Sequence, residues 1–128
     1  MIKLTLEQVI ELHNDIITQS GGTKGIRDVN LVDSAINAPF QTFSGRELYP
    51  TFEEKATRLA FGLTMNHAFF DGNKRIGAGA LCLFLEINDV NLIATDQDII
   101  DTFFNLASKK IGYEELLGWV KKHITYKV

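Results

Sequence analysis

Between His67 and Arg75 the chain reads HAFFDGNKR, which places an imidazole, a carboxylate, a Gly-Asn pair and two adjacent cations within nine residues. An apolar run, Ile76 to Ile87, follows at once. If that run is a helix, Lys74 and Arg75 fall in its first turn, where the dipole is positive and carboxylates are the usual occupants. A tight Asp71-Gly72 turn followed by an Asp or Asn cap explains Asp71, Gly72 and Asn73. It leaves the two cations unexplained. An anion at the helix start resolves the conflict, because free backbone N–H groups and a glycine let the chain approach a phosphate closely. Arg75 then serves as a planar fork and Lys74 as a point charge. A polyphosphate also recruits Mg²⁺, for which Asp71 is the neighbouring carboxylate. His67, neutral, stands where it can take a proton from an incoming hydroxyl.

Other chemistries are excluded by pattern. No G-x-x-x-x-G-K-[ST] string occurs, so this is not a P-loop. No second histidine lies near His67 at metalloprotease spacing. The net charge of −3 argues against a general nucleic-acid binder. Cys82, the single cysteine, sits inside the apolar run and reads as a small buried hydrophobe in a reducing cytosol. The start of the chain lacks the charge and apolar pattern of a signal peptide, and Ile76 to Leu85 is too short to span a bilayer. The expectation is a cytoplasmic protein with no membrane and no direct nucleic-acid partner.

Helices must position these groups. At 128 residues, 45% hydrophobic and 23% charged, the chain suits one globular domain, 1–128, with its own core. Thr5 and Gln8 form a capping-box pattern before an apolar face of Leu6, Val9, Ile10, Leu12, Ile16 and Ile17 that Gly21-Gly22 ends. Asp28 caps a short helix carrying Val32, Ala35 and Ile36 that Pro39 stops. Thr51 and Glu54 open a long helix running to about His67. Ile76 to Ile87 is apolar nearly all round, which marks a central helix ended by Asn88. Thr95 and Asp98 cap a helix carrying Ile99, Ile100, Phe103, Phe104 and Leu106, and Tyr113 to His123 forms the last helix. Val90 to Ala94 reads as an extended connection, and Phe40 to Pro50 as a small hairpin or flap. The fold class is all-α, with about six helices and a flap before the motif helix. His13 and His123 read as surface or half-buried residues, Phe69, Phe103 and Phe104 as core, and Lys109-Lys110 and Lys121-Lys122 as solvated faces. Arg46 and Arg58 are within possible reach of a nucleotide or target.

HAFFDGNKR resembles the core motif of the Fic/Doc family, H-[PX]-F-x-[DE]-G-N-G-R, and in particular its Doc branch, in which Lys takes the last glycine's place. GGTKGIRDVNLVDSAINAP, YPTFEEKATRLAFGL and EINDVNL also resemble that branch, so the likeness covers essentially the whole chain. It implies a compact helical Fic core in which the flap at 40–50 positions a target segment. His67 would be the general base, Phe69 a buried anchor and Asp71 the Mg²⁺ ligand. Gly72 and Asn73 would line the phosphate turn, with Arg75 and Lys74 binding phosphate.

Two departures bear on the reaction. Adenylyl-transferring Fic enzymes carry a second arginine in G-R-x-x-R, where this chain has Ala78, and a glycine where it has Lys74. Doc-type proteins are associated with phosphorylation. The expected reaction is therefore phosphoryl transfer from ATP or another nucleoside triphosphate, with Mg²⁺, to a Ser or Thr hydroxyl of a protein target, a translation factor. Adenylyl transfer with the same residues, and a non-catalytic nucleotide- or partner-binding module, remain as alternatives. The inhibitory string [ST]-x-x-x-E-[GN] is missing from the chain. The resemblance supplies the restraint as an antitoxin protein whose tail folds onto an apolar groove.

Overall fold

The computed structural model describes residues 1–127, and among them six α-helices and two two-stranded antiparallel sheets. The helices are α1 (Leu6–Ser20), α2 (Val29–Asn37), α3 (Phe52–Met65), α4 (Asn73–Ile87), α5 (Asp96–Ala107) and α6 (Tyr113–His123). The strands are β1 (Thr42–Phe43), β2 (Arg46–Glu47), β3 (Val90–Leu92) and β4 (Ile124–Tyr126). Three helices begin with reciprocal capping boxes, at Thr5/Gln8, Thr51/Glu54 and Thr95/Asp98. Each cap is worth about 1 kcal/mol, because it satisfies N–H groups that have no partner within the helix.

Helix α4 is the centre of the molecule. It packs chiefly on α3 and is flanked by α1 and α5, burying Ile76, Ala80, Leu81, Phe84 and Leu85. A Cβ on Gly77 would overlap the Thr64 side chain of α3, so the two helices approach to a separation that only glycine permits. Phe52 stacks on Phe84 with ring centroids 5.2 Å apart. Full burial of a ring such as Phe84 contributes roughly 2–3 kcal/mol.

The expected flap is a hairpin: Thr42 pairs with Glu47 and Phe43 with Arg46. Ser44 (φ 51°) and Gly45 (φ 76°) make the two-residue turn with both φ positive that suits such a short connection. Both strands are exposed, so little apolar burial holds them. The tether is Lys55 of α3, 3% exposed, which forms an ion pair with Glu47 at 2.9 Å and donates to the Tyr49 carbonyl.

Several expectations need correction. Val90 to Ala94 is not merely a connection: β3 pairs with β4, Val90 with Tyr126 and Leu92 with Ile124. A three-residue strand whose partner is more than thirty residues away leaves no local periodicity to read. Helix α2 does end before Pro39, as expected, and Pro39 lies within a 3₁₀ turn, Ala38–Phe40, just beyond it. Phe104 and Ile100 are 50% and 60% exposed, because α5 lies on the outside and turns only Thr102, Phe103 and Leu106 fully inward. Cys82 is half-buried, and that burial pushes its thiol pKa up. Among the described residues no helix is long and apolar enough to cross a membrane.

Candidate active site

The motif occupies the loop between α3 and α4. Helix α3 ends at Met65, so His67 lies beyond it rather than closing it, exposed and in the left-handed region at φ 52°. The strap of residues 22–28 holds this loop from one side. The N–H groups of Arg27 and Asp28 both donate to the Ala68 carbonyl, at 2.8 and 3.0 Å, and Ile26 bridges to Phe69. Arg27 Nε–H donates to the His67 carbonyl at 2.7 Å. From the other side, the Asn73 amide grips Phe69 twice: Nδ2 donates to its carbonyl at 3.0 Å, and Oδ1 accepts its N–H at 3.2 Å. Phe69 itself is 1% exposed, as the anchor role requires.

A cavity of about 340 Å³ opens over this loop. His67 and the run from Phe70 to Arg75 line it, together with Thr64 and with Ala107 of α5. Every site residue anticipated from sequence is therefore brought to one pocket. The cap is not what the Asp and Asn suggested. Gly72 holds the N-cap position at φ 77° and no side chain caps α4. Asp71 instead accepts the Gly72 N–H at 2.8 Å on Oδ1 and the Thr23 N–H at 3.0 Å on Oδ2, while Asn73 turns back to Phe69. The first helical bond is Ile76 N–H to the Gly72 carbonyl at 2.8 Å. By helix geometry the N–H groups of Asn73, Lys74 and Arg75 have no acceptor within α4, and their residues line the cavity.

The two cations divide. Arg75 is partly accounted for inside the protein: its NH1 group donates to the Ser20 hydroxyl and, at 3.0 Å, to the Gly21 carbonyl. Helix α1 has no basic residue in its last turn, so Arg75 supplies the positive charge that a helix C-terminus favours. Its NH2 group lies 3.6 Å from Asp71 Oδ1. Lys74 is exposed and has no carboxylate partner among the described residues; its Nζ stands 5.4 Å from the centre of the Phe104 ring. Arg46 and Arg58 do not line this cavity. Arg58 lies over the rings of Tyr49 and Phe61.

His13 was the principal residue misjudged from sequence. It is 1% exposed, its ring stacks on Phe69 at 3.8 Å, and Nε2–H donates to the Asp71 carbonyl at 2.7 Å. A signal was present: Val9, His13 and Ile17 repeat at helical spacing, and these are the buried positions of α1. Arg27, Ser20 and Lys55 had no comparable signal, since each acts across a tertiary contact. His123 is half-buried, as expected.

The donor set fits a phosphate with Mg²⁺. Hydrogen bonds from Thr23 and Gly72, then the charge of Arg75, hold the Asp71 carboxyl below the usual carboxylate range, so it is ionised. Each of its oxygens accepts one N–H and keeps a lone pair free. Among the described residues no group of three or more His, Cys, Asp or Glu side chains forms a metal cage. A single carboxylate is how Mg²⁺ is commonly held when substrate phosphates and water complete its shell.

Residues 3–85 match the Fic/DOC family. The chain belongs to this family, and its relatives place it in the Doc branch. It is 43% identical over 79 residues to a protein named Toxin Doc from Mycolicibacterium smegmatis, a match that covers 62% of this chain and 60% of that protein. It is 30% identical over 122 residues to Protein kinase doc of Escherichia phage P1, covering 95% of each.

Proposed function

We propose that this chain is a Doc-type toxin that transfers a phosphoryl group from a nucleoside triphosphate, ATP in the first instance, to a Ser or Thr hydroxyl of a protein, a translation factor. The observation that carries the reading is the uncapped start of α4, with His67, Asp71 and Lys74 lining the same cavity. His67 takes the proton of the target hydroxyl, and its oxygen attacks the γ-phosphorus. The bond to the β-phosphate oxygen breaks and the nucleoside diphosphate leaves. The N–H groups at the start of α4, with Lys74 and Arg75, bind the phosphates and offset the charge on them. Asp71 would hold Mg²⁺, which when bound neutralises phosphate charge. Arg27 and Asn73 keep the loop in place, and Gly72 starts α4 in the left-handed region where a Cβ would press on Ile17 and His13.

Phosphoryl transfer is favoured over adenylyl transfer by Lys74 and Ala78. The lysine stands where adenylyl-transferring relatives have a glycine, and Ala78 offers no second guanidinium. The partner is an antitoxin whose tail folds onto the apolar groove between α4 and α5, formed by Ala78, Ile99, Ile100, Phe103 and Phe104 beside Lys74. Ile100→Asp should then free the toxin from neutralisation and leave its toxicity intact; unchanged neutralisation would place the partner elsewhere.

Expression in a bacterial host tests the toxin reading. The wild type should arrest growth, and His67→Asn should not. Asn tolerates the left-handed backbone at position 67, so the variant removes the base without added strain. Arrest by both chains would favour a binding module, and arrest by neither would remove the toxin reading.

A further inference from the structure

We infer that His13 is a positioning residue that sets the Asp71–Gly72 peptide, and through it both the metal carboxylate and the phosphate turn. The inference rests on the proposed chemistry for its catalytic consequence, but its geometry is independent of that chemistry. A histidine in the buried stripe of α1 would pack no better than a leucine there, so its polar contact needs an explanation. Its ring is flat against Phe69, with 13° between the planes, and this fixes the plane of the imidazole. Nε2–H then points at the Asp71 carbonyl, 2.7 Å away.

The peptide plane makes this contact consequential. The Asp71 carbonyl and the Gly72 N–H belong to one trans peptide and point in opposite directions. His13 grips the carbonyl on the α1 side. The N–H donates to Asp71 Oδ1 on the other, at 2.8 Å. Rotation of the plane would break both bonds and turn a carbonyl oxygen toward the Asp71 carboxylate, where the N–H now donates. It would also disturb Gly72, whose carbonyl accepts the first bond of α4 and where a Cβ would stand only 3.4 Å from His13 Nε2. Val9 and Ile17, the neighbours of His13 in the stripe, have no donor to hold the plane.

Two substitutions separate the parts of this role. His13→Phe keeps a ring against Phe69 and removes the donor; His13→Gln keeps a side-chain N–H and removes the ring. The readouts are hydrogen exchange of the Gly72 amide, followed by NMR, and the Mg²⁺ concentration that gives half-maximal ATP-dependent labelling of target protein. In the Phe variant Gly72 should exchange about tenfold faster and the Mg²⁺ requirement should rise about tenfold, the size expected for one lost hydrogen bond. Gln should restore most of both. A Phe variant with wild-type Gly72 exchange would overturn the inference. So would a Gln variant as impaired as Phe at equal thermal stability, because the effect would then come from packing. In the wild type, ¹⁵N spectra should show the His13 proton on Nε2, and a proton found only on Nδ1 refutes the donor even if neither variant folds. A chain that labels nothing defeats the proposed reaction alone, since Gly72 exchange still decides the role of His13.

Discussion

Changing Asn73 to Asp separates fold from site, because the side chain serves both. In the fold, the amide makes two hydrogen bonds to Phe69, one as donor at 3.0 Å and one as acceptor at 3.2 Å. Asp keeps the acceptor but sets its second oxygen against the Phe69 carbonyl with no donor between them, a loss of about 1–3 kcal/mol. A carboxylate in the first turn of α4 regains about 0.3–1 kcal/mol from the helix dipole. The net loss of stability is therefore about 3 kcal/mol at most. Asn73→Ala, which leaves both Phe69 groups unpaired, should cost about 1–3 kcal/mol. The two variants differ most in the site. A new negative charge about 5 Å from a bound phosphate, at an effective dielectric near 20, costs roughly 3 kcal/mol per unit charge, or about 100-fold in nucleotide affinity. Urea unfolding at constant m-value gives the first quantity, and nucleotide titration gives the second. An Asp variant that binds nucleotide within a few-fold of the wild type would refute an anion site at the start of α4. One that lost more than about 3 kcal/mol of stability would show that the clamp on Phe69 is undervalued here.

Two further expectations concern the flap and pH. Lys55→Met removes a buried cation whose partner Glu47 is half-exposed and can return to water. Global stability should change by about 1 kcal/mol or less while the hairpin amides exchange faster; Glu47→Ala leaves the ammonium buried on the Tyr49 carbonyl and should cost more. Urea midpoints in the opposite order would contradict that reasoning. The Asp71 pKa is lowered on folding, so its contribution to stability is present above the unfolded carboxylate value and is lost as pH falls through the folded value. Asp71→Asn should flatten the acid limb of stability below about pH 5, and equal slopes for both chains would show that the carboxylate gains nothing on folding.

The helices were legible because their signals are local. Thr5, Thr51 and Thr95 announce their capping boxes within four residues, and the all-round apolar character of Ile76 to Ile87 identifies the central helix without reference to any neighbour. The motif residues were legible as a cluster for the same reason, since seven of the nine lining residues fall between His67 and Arg75. What pattern could not supply was direction. Asn73 has the composition of a cap, yet its amide faces backwards to Phe69, because Gly72 in the left-handed region starts the helix instead. Arg75 was assigned wholly to a ligand, whereas the end of α1, distant in sequence, engages one side of its guanidinium. His13 lay in plain view on the buried stripe, but its partner is a backbone carbonyl, which no residue type reveals. Phe104 and Ile100 were assigned inward from helical spacing; spacing defines a face, and the limited cover over α5 decided how much of it was buried.

The most direct test of the proposed chemistry is a labelling reaction with the purified chain, Mg²⁺ and a bacterial lysate. ATP labelled on the α- or the γ-phosphate would be supplied in parallel, with His67→Asn as the control. The expected result is a protein band labelled from the γ-phosphate alone and absent with the variant. A band labelled from the α-phosphate would instead establish adenylyl transfer, and no His67-dependent label from either position would contradict ATP-dependent transfer by this site.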